Sequence, residues 1–224
     1  MGRRMRLWPT AEELRRMVRH PSAYAPTAAE VLTPDRVPPL VVSMSADERR
    51  LMDAILADPD ADAPRLRYAN WVEAMDPERA AFIRGQVTGF PQVQNDDIPQ
   101  RWLDPFLPFG ARDVVFRRGF AEAMSLTGRS FVSLSDGLFA ATPLREVRLI
   151  AVNFLMAELV HCPNLTKLRV LNLRGNRIGD AGAGPLAGCE HLSNLARLDV
   201  TDNGLTPAGE QALVKSFGPR VLLR

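Results

Sequence analysis

The 224-residue sequence predicts an α/β fold: a short repeat solenoid, with parallel strands on its concave face and helices on its convex face, preceded by a small all-α block and an N-terminal arm. Three observations lead there. Residues 165–191 and 192–218 superpose at an offset of 27 residues. Within each copy apolar residues alternate and then give way to asparagine, and residues 43–87 carry helix starts and stops at close intervals. The repeat is read first because it decides the architecture.

In that frame Leu165, Leu168, Leu171, Leu173, Asn176, Ile178, Gly182 and Leu186 fall on Leu192, Leu195, Leu198, Val200, Asn203, Leu205, Gly209 and Leu213. The L-x-x-L-x-L-x-x-N pattern sends alternate side chains of a short strand inward and leaves the intervening ones outward. Asn176 and Asn203 then turn the chain, and their amides are expected to satisfy backbone groups of neighbouring coils. Ile178 or Leu205 re-enters the core, and a helix of about ten residues returns the chain on the other face, with Pro207 suited to a first helical turn. The pattern resembles the leucine-rich repeat, specifically its ribonuclease-inhibitor-like class. That resemblance implies a fold and says almost nothing of chemistry.

Two less regular copies lie upstream. Leu144, Val147 and Leu149 match Leu168, Leu171 and Leu173 at an offset of 24 residues. Before them, Met124 and Leu126 read as a strand pair, followed by an apolar segment through Phe131, Leu134 and Phe139. The reading is about four coils over residues 114–224, an irregular first coil serving as cap, and a closing strand at Val221–Leu223. Residues 88–113 are read as a connector.

Residues 43–87 read as three helices. Ser45 and Glu48 form an S-x-x-E capping box ahead of the apolar stripe Leu51, Met52, Ile55, Leu56. The DPDADAP segment breaks that helix, and Pro64 begins a second with Leu66, Tyr68, Ala69 and Val72 inward. Asp76 and Pro77 are the N-cap and first turn of a third, with Ala80, Phe82, Ile83 and Val87 inward. Arg65, Arg79 and Arg84 are expected to pair on the surface with Asp76, Glu78 or Glu73. On Ala54–Ile55, Pro59, Asp60, Asp62, Arg65–Leu66, Tyr68–Ala69, Trp71, Asp76, Glu78–Arg79–Ala80, Phe82–Ile83–Arg84 and Gln86, the block resembles a bacterial repeat-companion domain found beside leucine-rich and similar repeats. It departs from that family at Asn70, where an aspartate is usual, and at its shorter EAMD turn, so no role for that carboxylate carries over. The resemblance implies architecture and a bacterial source rather than a reaction. Residues 1–42 form the arm: a T-x-x-E box at Thr10–Glu13, a stripe of Leu14, Met17 and Val18, then a proline-rich tether.

An apolar fraction of 46% suits a globular protein with a real core, and a net charge of +2 gives no nucleic-acid or membrane footprint. No apolar run approaches the roughly 18 residues of a membrane span. The start, MGRRMRLWPTAEELRR, has no apolar segment behind its basic residues, and two cysteines suit a reducing compartment. A cytoplasmic location is expected.

Phosphate-loop, HExxH, GxSxG and CxxC patterns are absent, and GDAGAGPLAG lacks the spacing of a nucleotide-binding loop. Cys162 and Cys189, one repeat apart, each have a histidine nearby (His161, His191), so a zinc site is an alternative to small buried packing residues. Packing is preferred because the histidines are not at equivalent positions, and no cofactor, metal or catalytic residue is assigned. Binding is instead expected on the concave face: Ser125, Thr127, Arg148, Ile150, Asn172, Arg174, Asp199 and Thr201, flanked by Arg145 and Arg169. The strip runs from neutral through cationic to acidic, which suits a protein partner with acidic groups. The arm, through Trp8, Leu14, Met17 and Val18, is a second candidate surface. The chain therefore reads as a non-enzymatic interaction module, an adaptor or regulator of another protein such as an enzyme it accompanies. The alternative is a nucleic-acid accessory using Arg145, Arg148, Arg169 and Arg174.

Overall fold

A computed structural model describes residues 44–89 and 98–223; the arm residues Trp8, Leu14, Met17 and Val18 lie outside them. The described residues fall in one compact unit beginning at Val41. Its first helix, α1 (Ala46–Ala57), is capped by Ser45, whose Oγ accepts from the Glu48 amide at 3.1 Å. The Glu48 carboxylate accepts from the Tyr68 hydroxyl at 2.8 Å, tying α1 to α2 (Asp62–Val72). Helix α2 starts two residues before the expected Pro64. Asp76 caps α3 (Pro77–Thr88) by accepting from the Arg79 amide at 2.9 Å. Burial opposes the charged form of Asp76, yet bonds from Arg79 N, Trp102 Nε1 and Arg101 hold its carboxyl below the usual aspartate range. Met52, Ile55, Tyr68, Ala69, Val72, Ala80 and Ile83 close a small core between the three helices, and Phe120 from the following sheet joins it.

A short helix α4 (Gln100–Leu103) and a 3₁₀ turn (Asp104–Phe109) lead into six strands in chain order: β1 (Arg112–Arg117), β2 (Phe120–Thr127), β3 (Glu146–Ile150), β4 (Val170–Asn172), β5 (Arg197–Asp199) and β6 (Val221–Leu222). From β2 onward every neighbouring pair is parallel, as the repeats demand. The expectation of parallel strands only is corrected at the first edge, where β1 runs antiparallel to β2. Arg117 pairs with Phe120, so the loop is just Arg118–Gly119, with φ of 48° and 86°. A two-residue loop with both φ positive matches the right-handed twist of the strands it joins.

Helices α5 (Gly128–Ala141), α6 (Met156–Val160), α7 (Gly179–Ala187) and α8 (Pro207–Phe217) alternate with the strands. The glycine-rich segment is thus the helix of a repeat. Leu144, Val147, Leu149, Leu168, Leu171, Leu173, Leu195, Leu198 and Val200 are all buried, as their spacing requires. The two asparagines act as expected. Asn176 Nδ2 donates to the carbonyls of Leu149 and Leu173, both at 2.8 Å, while its Oδ1 accepts from Val152 N at 3.2 Å. Asn203 repeats the device, donating to Leu173 O at 2.9 Å and Val200 O at 2.8 Å and accepting from Asn176 N at 2.9 Å. Each side chain therefore bridges its own coil to the one before. Among the described residues no helix is long and apolar enough to cross a membrane.

Candidate binding face

The outward positions of the strands form rows across the sheet. Ser125, Arg148, Asn172, Asp199 and Leu222 stand in register, and so do Ala123, Glu146, Val170 and Arg197. Arg148, Arg174 and Arg197 are exposed, Ile150 is 37% exposed, and Asn172 is half-buried.

Three expected contact residues, Ser125, Asp199 and Thr201, are not open. Asp199 and Thr201 are 7% and 8% exposed. The Asp199 carboxylate turns back on its own chain, accepting from Thr201 N at 3.0 Å and Thr201 Oγ1 at 2.8 Å, the local bonding that short polar side chains favour. Asn172 and Leu222 flank it on the adjacent strands. Arg145 is taken up elsewhere: it pairs with Asp60 at 2.8 Å and lines a cleft of about 470 Å³ with Leu56, Phe139, Pro143 and Lys167. It joins the loop after α1 to the start of β3 instead of flanking the face.

Local pairing sets the charge that remains. Arg117 forms two bonds with Glu146, at 2.9 Å and 2.8 Å, and this partner raises the guanidinium pKa. Arg174 Nε meets Asp202 at 2.7 Å. Ser125 donates to Asp113 at 2.8 Å. Arg148, Arg169, Arg177 and Arg197 are exposed and have no side-chain partner among the described residues. The charge left unneutralised by pairs on this side is therefore positive.

The cysteines do not converge on their histidines. Cys189 Sγ donates to Val160 O at 3.1 Å, Cys162 Sγ lies 3.4 Å from Ser135 Oγ, and His161 Nδ1 bonds Ala157 O at 2.6 Å. Among the described residues no three His, Cys, Asp or Glu side chains group as metal ligands.

The surface pairing expected for Arg65 and Arg79 is also corrected. Arg65 is fully buried; it pairs with Glu122 at 2.7 Å and donates to the carbonyls of Pro59, Arg117 and Arg118 at 2.7, 3.3 and 3.2 Å. Burial lowers its pKa, with Glu122 acting in the opposite direction. Arg79 donates to Gly119 O, and its guanidinium lies 4.8 Å from the Trp102 ring centre and 5.1 Å from that of Phe116. Burial lowers its pKa to about 10. Only Arg84 behaves as expected, meeting Glu73 at 2.6 Å on the surface and Asn70 Oδ1 at 2.8 Å. A signal for Arg65 was present in the sequence: Arg65, Tyr68, Ala69 and Val72 follow the i, i+3, i+4, i+7 spacing of one buried helix face.

Residues 164–187 and 191–214, which hold β4 with α7 and β5 with α8, each match the family model of the leucine-rich repeat. These two stretches are leucine-rich repeats. No curated protein and no solved structure matches the chain.

Proposed function

We propose that the protein is a non-enzymatic interaction module, an adaptor or regulator that binds a partner protein through the concave face of a short leucine-rich-repeat solenoid. The observation that carries this reading is the set of exposed, unpaired arginines along that face (Arg148, Arg169 and Arg197), which also carries Ile150, next to repeats of a kind that generally mediates protein–protein contact. Asn172 and Arg174 complete the open part of the surface. Asp199 and Thr201 serve it as buried supports. The ribonuclease-inhibitor-like class is supported by a helix in each matched repeat.

The proposal keeps residues 43–87 as a repeat-companion domain, 88–113 as a connector and 114–224 as the repeat domain, with 1–42 as an arm offering a second surface. What supports a capping role for the companion block is its contact with the β1–β2 hairpin: Phe120 completes its core and Arg65 reaches Glu122. A cytoplasmic, bacterial setting belongs to the same reading, and the two free thiols agree with it.

Nucleic acid is the less favoured partner. Of the four arginines that reading needs, Arg145 is held by Asp60 and Arg174 by Asp202, leaving Arg148 and Arg169 for phosphate. Co-purification from nuclease-treated cells, comparing wild type with Arg148→Glu/Arg197→Glu, tests the proposal. The expected outcome is loss of the co-purifying protein from the variant. Retention of every partner by the charge-reversed chain would contradict the concave-face assignment. So would a complex that disappears with nuclease and weakens steeply with salt.

A further inference from the structure

The coil between β3 and β4 departs from its neighbours at one apolar residue. At the repeat offsets Phe154 stands where the next coil has Ile178. Ile178 is 5% exposed and fills the core, whereas Phe154 is 90% exposed. Leu155, one residue later, is the side chain that goes inward here. The fold thus makes no use of Phe154. The turn before it is also unusual: Ala151 takes a left-handed φ of 57° where the next coil uses Gly175, a conformation alanine adopts reluctantly.

The surroundings of Phe154 are not those of a stray surface residue. Ile150 ends β3 four residues earlier, and Arg148 precedes it on the same face. The next turn lies alongside, since Val152 N donates to Asn176 Oδ1 at 3.2 Å, and it carries Arg177, exposed and unpaired. Asp202, a carboxylate in the turn after that, is already held by Arg174. An exposed aromatic four residues beyond an exposed aliphatic one, with unpaired arginines on the same strand and on the next turn, has the composition that interface anchors favour.

We propose that Phe154 and Ile150 anchor an acidic segment of a partner protein, the segment's aromatic or aliphatic side chain packing on them and its carboxylates meeting Arg148 and Arg177. This rests on the binding-face reading and deepens it by naming the anchor and the partner's chemistry. Charge complementarity selects the occupant: Arg148 and Arg177 have no acidic partner among the described residues, while Glu146 and Asp202 are ion-paired, Asp199 is buried against Thr201 and Asp180 is held by Thr206. With Glu158 as the exposed unpaired acid of this coil, the open groups remain net cationic. A single-stranded nucleic acid would stack on Phe154 but needs a continuous cationic track, which the pairing of Arg174 with Asp202 interrupts.

The test is selection of a displayed random-peptide library on the full chain, followed by affinity measurements with one enriched peptide. Enriched peptides are expected to combine Asp or Glu with a neighbouring aromatic or aliphatic residue. Phe154→Ala should weaken binding by about tenfold or more, as loss of an anchor does, while the fold is undisturbed because the side chain is exposed. Val214→Ala, which trims an exposed apolar residue on α8, should leave affinity unchanged. If Phe154→Ala binds like wild type while Arg148→Glu/Arg197→Glu does not, the anchor is wrong and the binding face stands. If neither change weakens binding, both are wrong. Enrichment of no acidic sequence, or Phe154-dependent binding of an oligothymidylate in place of any acidic peptide, also overturns the proposal.

Discussion

Arg65→Ala is expected to destabilise the described unit by about 3 kcal/mol, a fall in Tm of roughly 10 °C, because it strips the buried Glu122 of one of its two guanidinium partners, leaving Arg118 at 3.1 Å, and takes the donor from three carbonyls. Arg65 joins four acceptors on three segments: Pro59 O after α1, Arg117 O and Arg118 O at the hairpin turn, and Glu122 on β2. Lysine is compact and lacks the planar fork, so Arg65→Lys should recover only part of the loss. Arg65→Met/Glu122→Met removes both charges together and should be milder than Arg65→Ala, since an apolar pair tolerates burial. It should still fall short of wild type, because the carbonyls of Pro59, Arg117 and Arg118 lose a donor. Chemical denaturation of wild type and the three variants measures this, and an Arg65→Ala within about 1 kcal/mol of wild type would place the charge in water.

Gly119→Ala should cost a similar amount by a different route. Gly119 holds φ at 86°, which L side chains adopt with strain, and a Cβ there would meet Ile83 at 2.5 Å from Cγ1 and 2.8 Å from both Cα and Cβ. The backbone of α3 would have to withdraw from the hairpin, breaking the contacts that Arg79 and Gln86 make with Gly119. Overpacking of this kind costs about 1–3 kcal/mol, and the left-handed φ adds about 1 kcal/mol. Trimming the neighbour offers no rescue. Ile83→Ala removes Cγ1 but leaves Cα and Cβ in place, so the double variant is expected to be less stable than Gly119→Ala alone. Thermal melts decide it, and a double variant more stable than the single one would contradict the packing described.

The repeats were legible because period and chemistry coincide: alternation fixes which leucines go inward, and asparagine is the residue whose amide can both donate and accept at a buried turn. The hairpin was not legible. Its turn is Arg118–Gly119, and an arginine in a positive-φ position lacks the Asn-Gly or Asp-Gly signal by which such turns are read. Arg65 was misplaced because residue type was weighed above spacing. Charged residues are almost never fully buried unless paired, and its partner Glu122 lies on a strand 57 residues away that no local pattern connects to α2. Asp199 shows the converse. Its outward position in the strand was read correctly, but the short side chain folds onto Thr201 between flanking strands, and the spacing that predicts direction does not predict such closure. Phe154 escaped because its repeat position implies an inward residue, and only comparison of Ile178 with Leu155 shows which side chain the core took.

The central claim is that the outward strand face of these repeats is where another protein sits. A photo-crosslinking residue placed at Asn172, in the middle of that face, tests it in living cells against the same residue placed at Lys215 on α8. The account predicts a protein adduct from position 172 that is lost when Arg148→Glu and Arg197→Glu are added, and none from position 215. A protein adduct only from position 215, or a nuclease-sensitive adduct from position 172, would contradict it.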